Sequence, residues 1–379
     1  MAQGYLDSWD YSEMELKGEH YFKCLVAHSF LQDFSRNGGI HTWKMHSIVH
    51  DFVRFLFQSE LMMEINSVEH MGLDLTSARM SENKAVKCSI PAPDPAPKKV
   101  KTPDFGTSIP AASCDLPLIS DVPIICIRHL ILMIAQGIGF PVDISGAEKL
   151  RTLVAVSQGC FITSRALSNL FKQSKHLRLL DLSLCSGWHY CFGPCGQGNI
   201  LHKVPEEISE LINLRFLSLA GSKELKILPE TLCDLYNLQS LDLTGCSSLT
   251  KLPDGMGKLM KLIYLYTWYC SSITFYPKGI GCLTFLRELT NVIVRVDHND
   301  ANEFSLGDFE ALNRLRGDVR VKLAGNVIDA DEAIRANLWN KKSLNNIRIN
   351  LDGDIKEEAV IQALKSPSEL GIEFIGWWF

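Results

Sequence analysis

The residues best suited to metal chemistry lie in one glycine-rich stretch: Cys185, His189, Cys191, Cys195 and His202. A structural zinc ion needs four such ligands arranged as a tetrahedron, and they usually come as two closely spaced pairs. Here the Cys-x3-Cys spacing has no second matching pair, and glycines are interleaved with the cysteines. We therefore predict a flexible surface loop in this stretch and no metal site.

Motifs for nucleotide binding and hydrolysis are missing from the sequence. No G-x-x-x-x-G-K-[ST] phosphate loop occurs, and the nearest Gly-Lys pair, Gly257-Lys258, lacks the upstream glycine and the following hydroxyl residue. No Gly-x-Ser-x-Gly or His-Glu-x-x-His motif and no paired Cys-x-x-Cys site occurs either. Such motifs supply nucleophiles, metal ligands or phosphate-binding amides. We predict that the chain is not an enzyme and holds no cofactor of its own.

The composition is that of an ordinary globular protein of 379 residues with a net charge of −5. This charge gives no reason to expect nucleic-acid binding. The most apolar stretch, 122–140, is interrupted by Arg128, His129 and Gln136, so we predict no membrane span. The N-terminus carries no secretory signal pattern. We expect a cytoplasmic protein, in which the twelve cysteines stay reduced.

The elements that position the side chains are set by a repeat of 24 residues. Proline recurs at this interval, and apolar residues follow it three, six, nine and twelve residues later. The repeated positions are Pro205, Pro229, Pro253 and Pro277; Ile208, Leu232, Met256 and Ile280; Leu211, Leu235, Leu259 and Leu283; Leu214, Leu238, Leu262 and Leu286; Leu217, Leu241, Leu265 and Leu289. Such a period is typical of leucine-rich repeats, whose coils bury their apolar faces only by stacking. We predict an α/β fold, a leucine-rich-repeat solenoid with a curved parallel sheet.

Side chains alternate between the two sides of each predicted strand, which separates core positions from surface positions. Leu217 and Leu219 point into the core, although the later coils have Thr267 and Asn291 at the position of Leu219. The opposite, concave side is the predicted protein-binding surface: Phe216, Ser218, Ser240, Asp242, Tyr264, Tyr266, Trp268 and Glu288. Three aromatic residues on one strand favour a contact surface, because Tyr and Trp dominate binding hot spots. The alternative is that neighbouring coils or the insertion after Cys185 cover them.

Two further positions recur along the repeat. Arginine follows the leucine that opens several coils, at Arg151, Arg178, Arg215 and Arg287, and stacking would bring some of these charges together. Cysteine or serine follows the last strand position by three residues, at Cys185, Ser222, Cys246 and Cys270. We predict that these small side chains turn inward and are buried.

Three domains follow from the patterns outside the regular repeats. Residues 1–58 contain an apolar helical face at 13–30, a hairpin around Ser-Arg-Asn-Gly-Gly and a second helix, in the order of a partial winged-helix segment. Residues 59–123 are predicted as a linker, with mixed helical character up to 83 and many prolines from about 84. Residues 124–379 are the repeat domain, and 329–341 and 344–349 are predicted as a helix and a strand.

Four N-terminal segments, 1–5, 18–22, 29–33 and 44–51, closely resemble the end of the nucleotide-binding module of plant intracellular NB-LRR disease resistance proteins. The repeats agree, since Leu-Pro-x-x-Ile-x-x-Leu-x-x-Leu resembles the intracellular plant type. The resemblance implies a receptor that lacks its phosphate-loop portion. The Met-His-Asp motif of the family falls on Met45, His46 and Ser47, and His46 would be the residue beside ADP. Without a phosphate loop, we favour a histidine with no ligand, with ADP or ATP bound only if the missing portion is supplied.

The resemblance implies plant defence as the function. Its repeats would recognise a protein partner: a pathogen effector, a host protein or a full-length receptor. In this family the inner edge of the repeats packs against the nucleotide-binding module, so the arginines would form a docking stripe; a solvated stripe is the other interpretation. Two other hypotheses for the whole chain are a nucleotide-dependent switch and a generic repeat scaffold.

Overall fold

The structure, a computed structural model, describes residues 17, 31–37, 40–45, 61–66, 73–74, 128–134, 139–145, 147–157, 161–184, 200–295, 301–324, 330–338, 341, 343–352 and 371–374. The strands are β1 Leu31–Asn37, β2 Ile40–Met45, β3 Leu61–Asn66, β4 Leu73–Asp74, β5 His129–Ile134, β6 Ile144–Ser145, β7 Thr152–Ser157, β8 Phe161–Ile162, β9 Leu179–Leu184, β10 Ile200–Leu201, β11 Phe216–Ser218, β12 Ser240–Asp242, β13 Tyr264–Tyr266, β14 Glu288–Leu289, β15 Val292–Arg295, β16 Gly317–Ala324, β17 Leu344–Asp352 and β18 Gly371–Phe374. The α-helices are α1 Ser164–Gln173 and α2 Ala330–Ala336, and the 3-10 helices are Ala147–Lys149, Glu206–Glu210, Glu230–Asp234, Asp254–Lys258, Lys278–Cys282 and Leu306–Ala311.

Eight strands form one parallel sheet in the order β14-β13-β12-β11-β9-β7-β5-β3. Leu217 pairs in register with Leu241, Leu241 with Leu265 and Leu265 with Leu289. These four leucines are essentially inaccessible to solvent, because each one stacks on its equivalent in the next coil. The predicted leucine columns and the α/β solenoid are therefore confirmed.

The convex side of each regular coil is closed by a five-residue 3-10 helix. Pro205, Pro229, Pro253 and Pro277 precede these helices as N-caps, which suits a residue with fixed φ and no N–H. The helices lie close together at two glycines: a Cβ added to Gly279 would lie 2.7 Å from the backbone nitrogen of Gly257. Gly257, which begins the isolated Gly-Lys pair of the sequence, thus has a packing role.

The cysteine positions are buried as predicted at Ser222, Cys246 and Cys270. The thiols of Cys246 and Cys270 donate to the carbonyls of Leu219 and Leu243, at 3.3 and 3.0 Å. Burial raises the pKa of Cys270 to about 12, which leaves the thiol protonated and unreactive. Cys185 lies outside the described residues.

The solenoid changes sheet after Leu289. Asn291 has a φ of 54°, a left-handed conformation that asparagine adopts more readily than most residues. Beyond it, β15, β16, β17 and β18 form a four-stranded parallel sheet. α2 and β17 confirm the helix and strand predicted at 329–341 and 344–349.

A buried polar cluster replaces leucines in the coil before this change. Thr267 occupies the position of Leu219 and Leu243, and its hydroxyl donates to the carbonyl of Thr290 at 2.6 Å. Tyr276, in turn, donates to the Thr267 hydroxyl at 2.7 Å. These two substitutions complement each other, because the added phenol satisfies the added hydroxyl inside the core.

The N-terminal part shows one agreement and one correction. β1 and β2 pair antiparallel, with Asn37 opposite Ile40, which confirms the predicted hairpin. β3 pairs parallel with β5, so the backbone at 61–66 is a strand, whereas the sequence predicts mixed helical character there. Pairing with the open edge of β5 outweighs the local propensity of this segment. The two predicted N-terminal helices are not covered by the described ranges, apart from helical Lys17.

Candidate functional site

The predicted protein-binding residues form two columns across the short strands. Phe216, Ser240, Tyr264 and Glu288 are paired in register along one column. Ser218, Asp242 and Tyr266 form the second column, two residues further along the strands. The repeat therefore brings together all of the predicted concave positions on β11 to β14.

Burial differs strongly within these columns. Ser218, Ser240 and Asp242 are 2%, 9% and 6% exposed, so they add little surface for a partner. Phe216, Tyr264, Tyr266, Trp268 and Glu288 are half-buried and retain accessible surface. Closely stacked strands crowd the concave side, and small side chains lie below their larger neighbours. Accessible surface is concentrated on the larger side chains of the two columns.

Tyr264, Tyr266 and Trp268 form what we call the aromatic patch. The rings of Tyr264 and Tyr266 stack with centroids 6.0 Å apart and planes 10° from parallel. The guanidinium of Arg316 donates to the Tyr264 hydroxyl at 3.1 Å, and that of Arg320 lies 4.7 Å above the Trp268 ring. Two arginines of the following coil thus hold the patch in place and partly cover it.

Tyr269 extends the aromatic patch toward solvent. It is 59% exposed, and its φ of 59° is left-handed, a conformation that costs a tyrosine about 1–2 kcal/mol. The equivalent residues of the two preceding coils are Gly221 and Gly245, with φ of 78° and 76°. The sequence prediction missed Tyr269, although the change from Gly to Tyr is visible at the 24-residue interval. An exposed aromatic residue at a strained position is a feature of functional sites.

Acidic groups accompany the aromatic patch. Burial raises the pKa of Asp242, the nearby Asp181 raises it further, and the backbone N–H of Thr244 donates to its carboxylate at 2.9 Å. Burial, followed by the charge of Glu288, raises the pKa of Tyr266, so the phenol stays neutral. Neutral phenols beside carboxyl groups can donate and accept hydrogen bonds to a partner's backbone.

The arginine stripe is not continuous. The backbone N–H of Arg178 donates to the carbonyl of Arg151, and that of Arg215 to the carbonyl of Arg178, both at 2.8 Å. The next two coils have Gln239 and Ile263 at this position, so Arg287 is separate and, at 6% exposure, buried. The predicted docking stripe therefore reduces to its N-terminal coils.

Several other predicted features lie outside the described residues, including His46 and all of the Cys/His insertion apart from exposed His202. Within the described residues, no group of three His, Cys, Asp or Glu side chains is arranged to hold a metal ion. No helix in the described part of the chain has the length and apolarity needed to cross a membrane.

Two family models match the chain. One, described as "Leucine-rich repeat region", covers residues 149–377, and the other, "Disease resistance protein Winged helix domain", covers residues 1–53. No curated protein matches the chain.

Solved repeat structures are also similar to it. The plant peptide hormone receptor RGFR1 with RGF2 is 16% identical, with a TM-score of 0.32, over 67% of this chain and 44% of that chain. The ectodomain of GASSHO1/SCHENGEN3 from Arabidopsis thaliana, with CASPARIAN STRIP INTEGRITY FACTOR 2, is 16% identical, with a TM-score of 0.29, over 66% and 36%. A TLR13 complex with ssRNA13 is 17% identical, with a TM-score of 0.28, over 65% and 40%.

This chain spans less than half the length of each of those three structures. The repeat model covers more than half of the chain, and the stacked parallel coils agree with it. The winged-helix match falls on the segments that carry the sequence resemblance. The chain therefore belongs to the leucine-rich-repeat family and is a protein of the plant NB-LRR disease resistance type.

Proposed function

We propose that the chain acts in plant defence as a recognition protein, binding a protein partner through the concave side of its repeats, without catalysis, in the cytoplasm. The partner is a pathogen effector, a host protein or a full-length receptor of the same type. The observation that carries the proposal is the aromatic patch with Tyr269 beside it. Accessible aromatic surface at a strained backbone position has a cost to folding that a binding role explains.

The surroundings of the patch support protein as the partner class. Ring faces, phenol hydroxyls and the half-buried carboxylate of Glu288 combine apolar area with hydrogen-bonding groups, as protein interfaces do. Arg316 and Arg320 fix the rings before a partner arrives, which lowers the entropy lost on binding. The acidic groups nearby repel phosphates, which disfavours nucleic acid at this surface.

The test compares partner capture by matched variants. Tyr269→Ala removes a ring that is 59% exposed, and Tyr236→Ala removes one that is 53% exposed and follows a 3-10 helix on the convex side. Tagged wild-type and variant chains are expressed in plant leaves, and co-purified proteins are quantified by mass spectrometry. We expect Tyr269→Ala to lose specific partners that Tyr236→Ala retains.

The triple variant Tyr264→Ala/Tyr266→Ala/Trp268→Ala removes the remaining aromatic surface. Circular dichroism checks that it is folded, because its rings are half-buried. Identical partner recovery from wild type, Tyr269→Ala and the folded triple variant would refute the proposal. Titration of the same chains with ADP tests the alternative of a nucleotide-dependent switch, for which we expect no binding.

A further inference from the structure

A basic cleft lies at the edge of the sheet where the strands begin, away from the aromatic patch. It has a volume of about 290 Å³. Its lining consists of Arg128, Lys149, Arg151, His176, Arg178 and Asn213. Four of these six side chains are Lys or Arg, and no carboxylate is part of the lining.

The repeat itself builds this cleft. The N–H of Arg151 donates to the carbonyl of Arg128 at 2.7 Å, and the N–H of Arg178 to that of Arg151 at 2.8 Å. Successive coils therefore place three arginines at equivalent positions about 4.8 Å apart, the spacing of neighbouring strands. Lys149 and His176 each precede the leucine that opens a coil and line the same cleft from the preceding turn.

Arginines elsewhere in the solenoid have visible protein counterparts. Arg295 forms an ion pair with Glu303, Arg348 with Asp318, and Arg314 lies over the ring of Phe285. The cleft instead gathers cations of the same sign around one volume without a lining acid. Such an arrangement is favourable only when an anion or solvent compensates the repulsion.

We propose that the basic cleft binds a small anion that carries several phosphate groups. Guanidinium groups are planar forks that hold phosphate oxygens with paired hydrogen bonds, and a row of three matches several phosphates on one small ring. The amine of Lys149 adds a point charge at the exposed rim. The volume lies at the lower end of that of small-molecule sites, too small for a folded partner.

Isothermal titration calorimetry with inositol hexakisphosphate tests the proposal on the full chain. The key variant is Arg151→Gln/Arg178→Gln, and the matched control is Lys223→Gln/Lys226→Gln, which removes two charges from exposed side chains outside the cleft. We expect wild type and control to bind alike, and the key variant to bind roughly a hundredfold more weakly, about tenfold for each lost fork. Equal affinities for the key and control variants would overturn the proposal.

Two further comparisons separate forked recognition from simple charge and from loss of folding. Arg151→Lys/Arg178→Lys keeps the charge and should bind with intermediate affinity; binding equal to wild type would contradict the role of the forks. Lys149→Gln alters only an exposed side chain and should weaken binding about tenfold in a chain whose melting temperature is unchanged.

The same phosphate chemistry is found in soluble inositol phosphates and in lipid headgroups. Flotation with vesicles containing phosphatidylinositol 4,5-bisphosphate, with and without soluble inositol hexakisphosphate as competitor, distinguishes the two sources. Binding in solution alone supports a soluble ligand, and competed flotation supports a headgroup. Absence of both, or equal binding of a glutamate-rich peptide, would overturn the proposal. Tyr269→Ala should leave anion binding unchanged, so this test is independent of the protein-recognition proposal.

Discussion

Two kinds of coil build the same solenoid. Between Leu217 and Leu289 each coil has 24 residues, with strands of two or three residues and 3-10 helices of five residues. In the flanking coils, aligned strand positions are 27 residues apart from Leu153 to Leu180 and 28 from Val321 to Ile349. These longer coils contain α1 and α2 and strands of up to nine residues.

Chain length per coil explains the difference. A residue in a 3-10 helix advances about 2.0 Å, compared with about 1.5 Å in an α-helix. A 24-residue coil therefore crosses its convex side with fewer residues, and its 3-10 helices lie close enough to need glycine at 257 and 279. Longer coils have room for α-helices and longer strands, but they give up the strict sequence period.

The largest expected effect tests the leucine columns of the regular coils. Leu241→Ala removes a fully buried side chain between Leu217 and Leu265, and we expect a loss of about 2–5 kcal/mol in the free energy of unfolding. Leu351→Ala makes the same truncation at a partly buried position in β17 and should cost less. Urea denaturation measures both. Equal losses would show that the two sheets do not differ in packing at these positions.

The close approach of the 3-10 helices gives the next effect. A Cβ at Gly279 would meet the Gly257 nitrogen at 2.7 Å, and backbone cannot rotate away as a side chain can. We expect Gly279→Ala to destabilise the protein by about 1–3 kcal/mol. Gly139→Ala is the control, since its nearest contact would be at an ordinary 3.8 Å. Thermal unfolding that is unchanged in Gly279→Ala would contradict the tight packing.

Sequence reasoning succeeded where the period is strict. The columns through Leu217 and Leu241, the prolines before each 3-10 helix and the buried Cys246 all follow from residues repeated at one interval. It failed at β3, where a distant strand supplies the pairing, because local propensity carries no information about an open sheet edge.

The candidate site was only partly predictable for a related reason. Alternation along a strand indicates which side a residue faces, but not how far its neighbours cover it. Asp242 faces the concave side as expected and is 6% exposed, whereas Tyr269 has substantial exposure just beyond the predicted strand positions. The basic cleft also needed the structure, because Arg128 lies before the recognisable repeats.

The polar cluster at the change of sheet gives a smaller effect. Tyr276→Phe removes the donor to the Thr267 hydroxyl, and we expect a cost of about 0.5–1.5 kcal/mol. Tyr236→Phe, at an exposed phenol, should have almost no effect. The double variant Tyr276→Leu/Thr267→Leu restores the residues of the preceding coil, Leu252 and Leu243, and should recover part of the stability. A double variant less stable than either single change would show that the coil needs its polar cluster.

The smallest effect tests the contact between the α-helical coil and the first regular coil. Glu207 accepts hydrogen bonds from Ser168 of α1 at 2.8 Å and lies 2.9 Å from the amine of Lys172. The hydrogen bond from Lys172 is the main cause that lowers the pKa of Glu207 to about 2, from an ordinary value of 4.5. Because the folded-state pKa is lowered, the stabilisation is present above pH 4.5 and is lost as the pH falls toward 2.

Lys172→Gln should therefore destabilise the protein at neutral pH, and the difference from wild type should shrink below pH 4.5. We expect less than about 1 kcal/mol, because both side chains are partly solvated. Unfolding free energies at neutral and acid pH measure it, with the exposed Lys223→Gln as control. A difference that does not change with pH would assign the effect of Lys172 to helix packing, and the two kinds of coil would then be joined by apolar contacts alone.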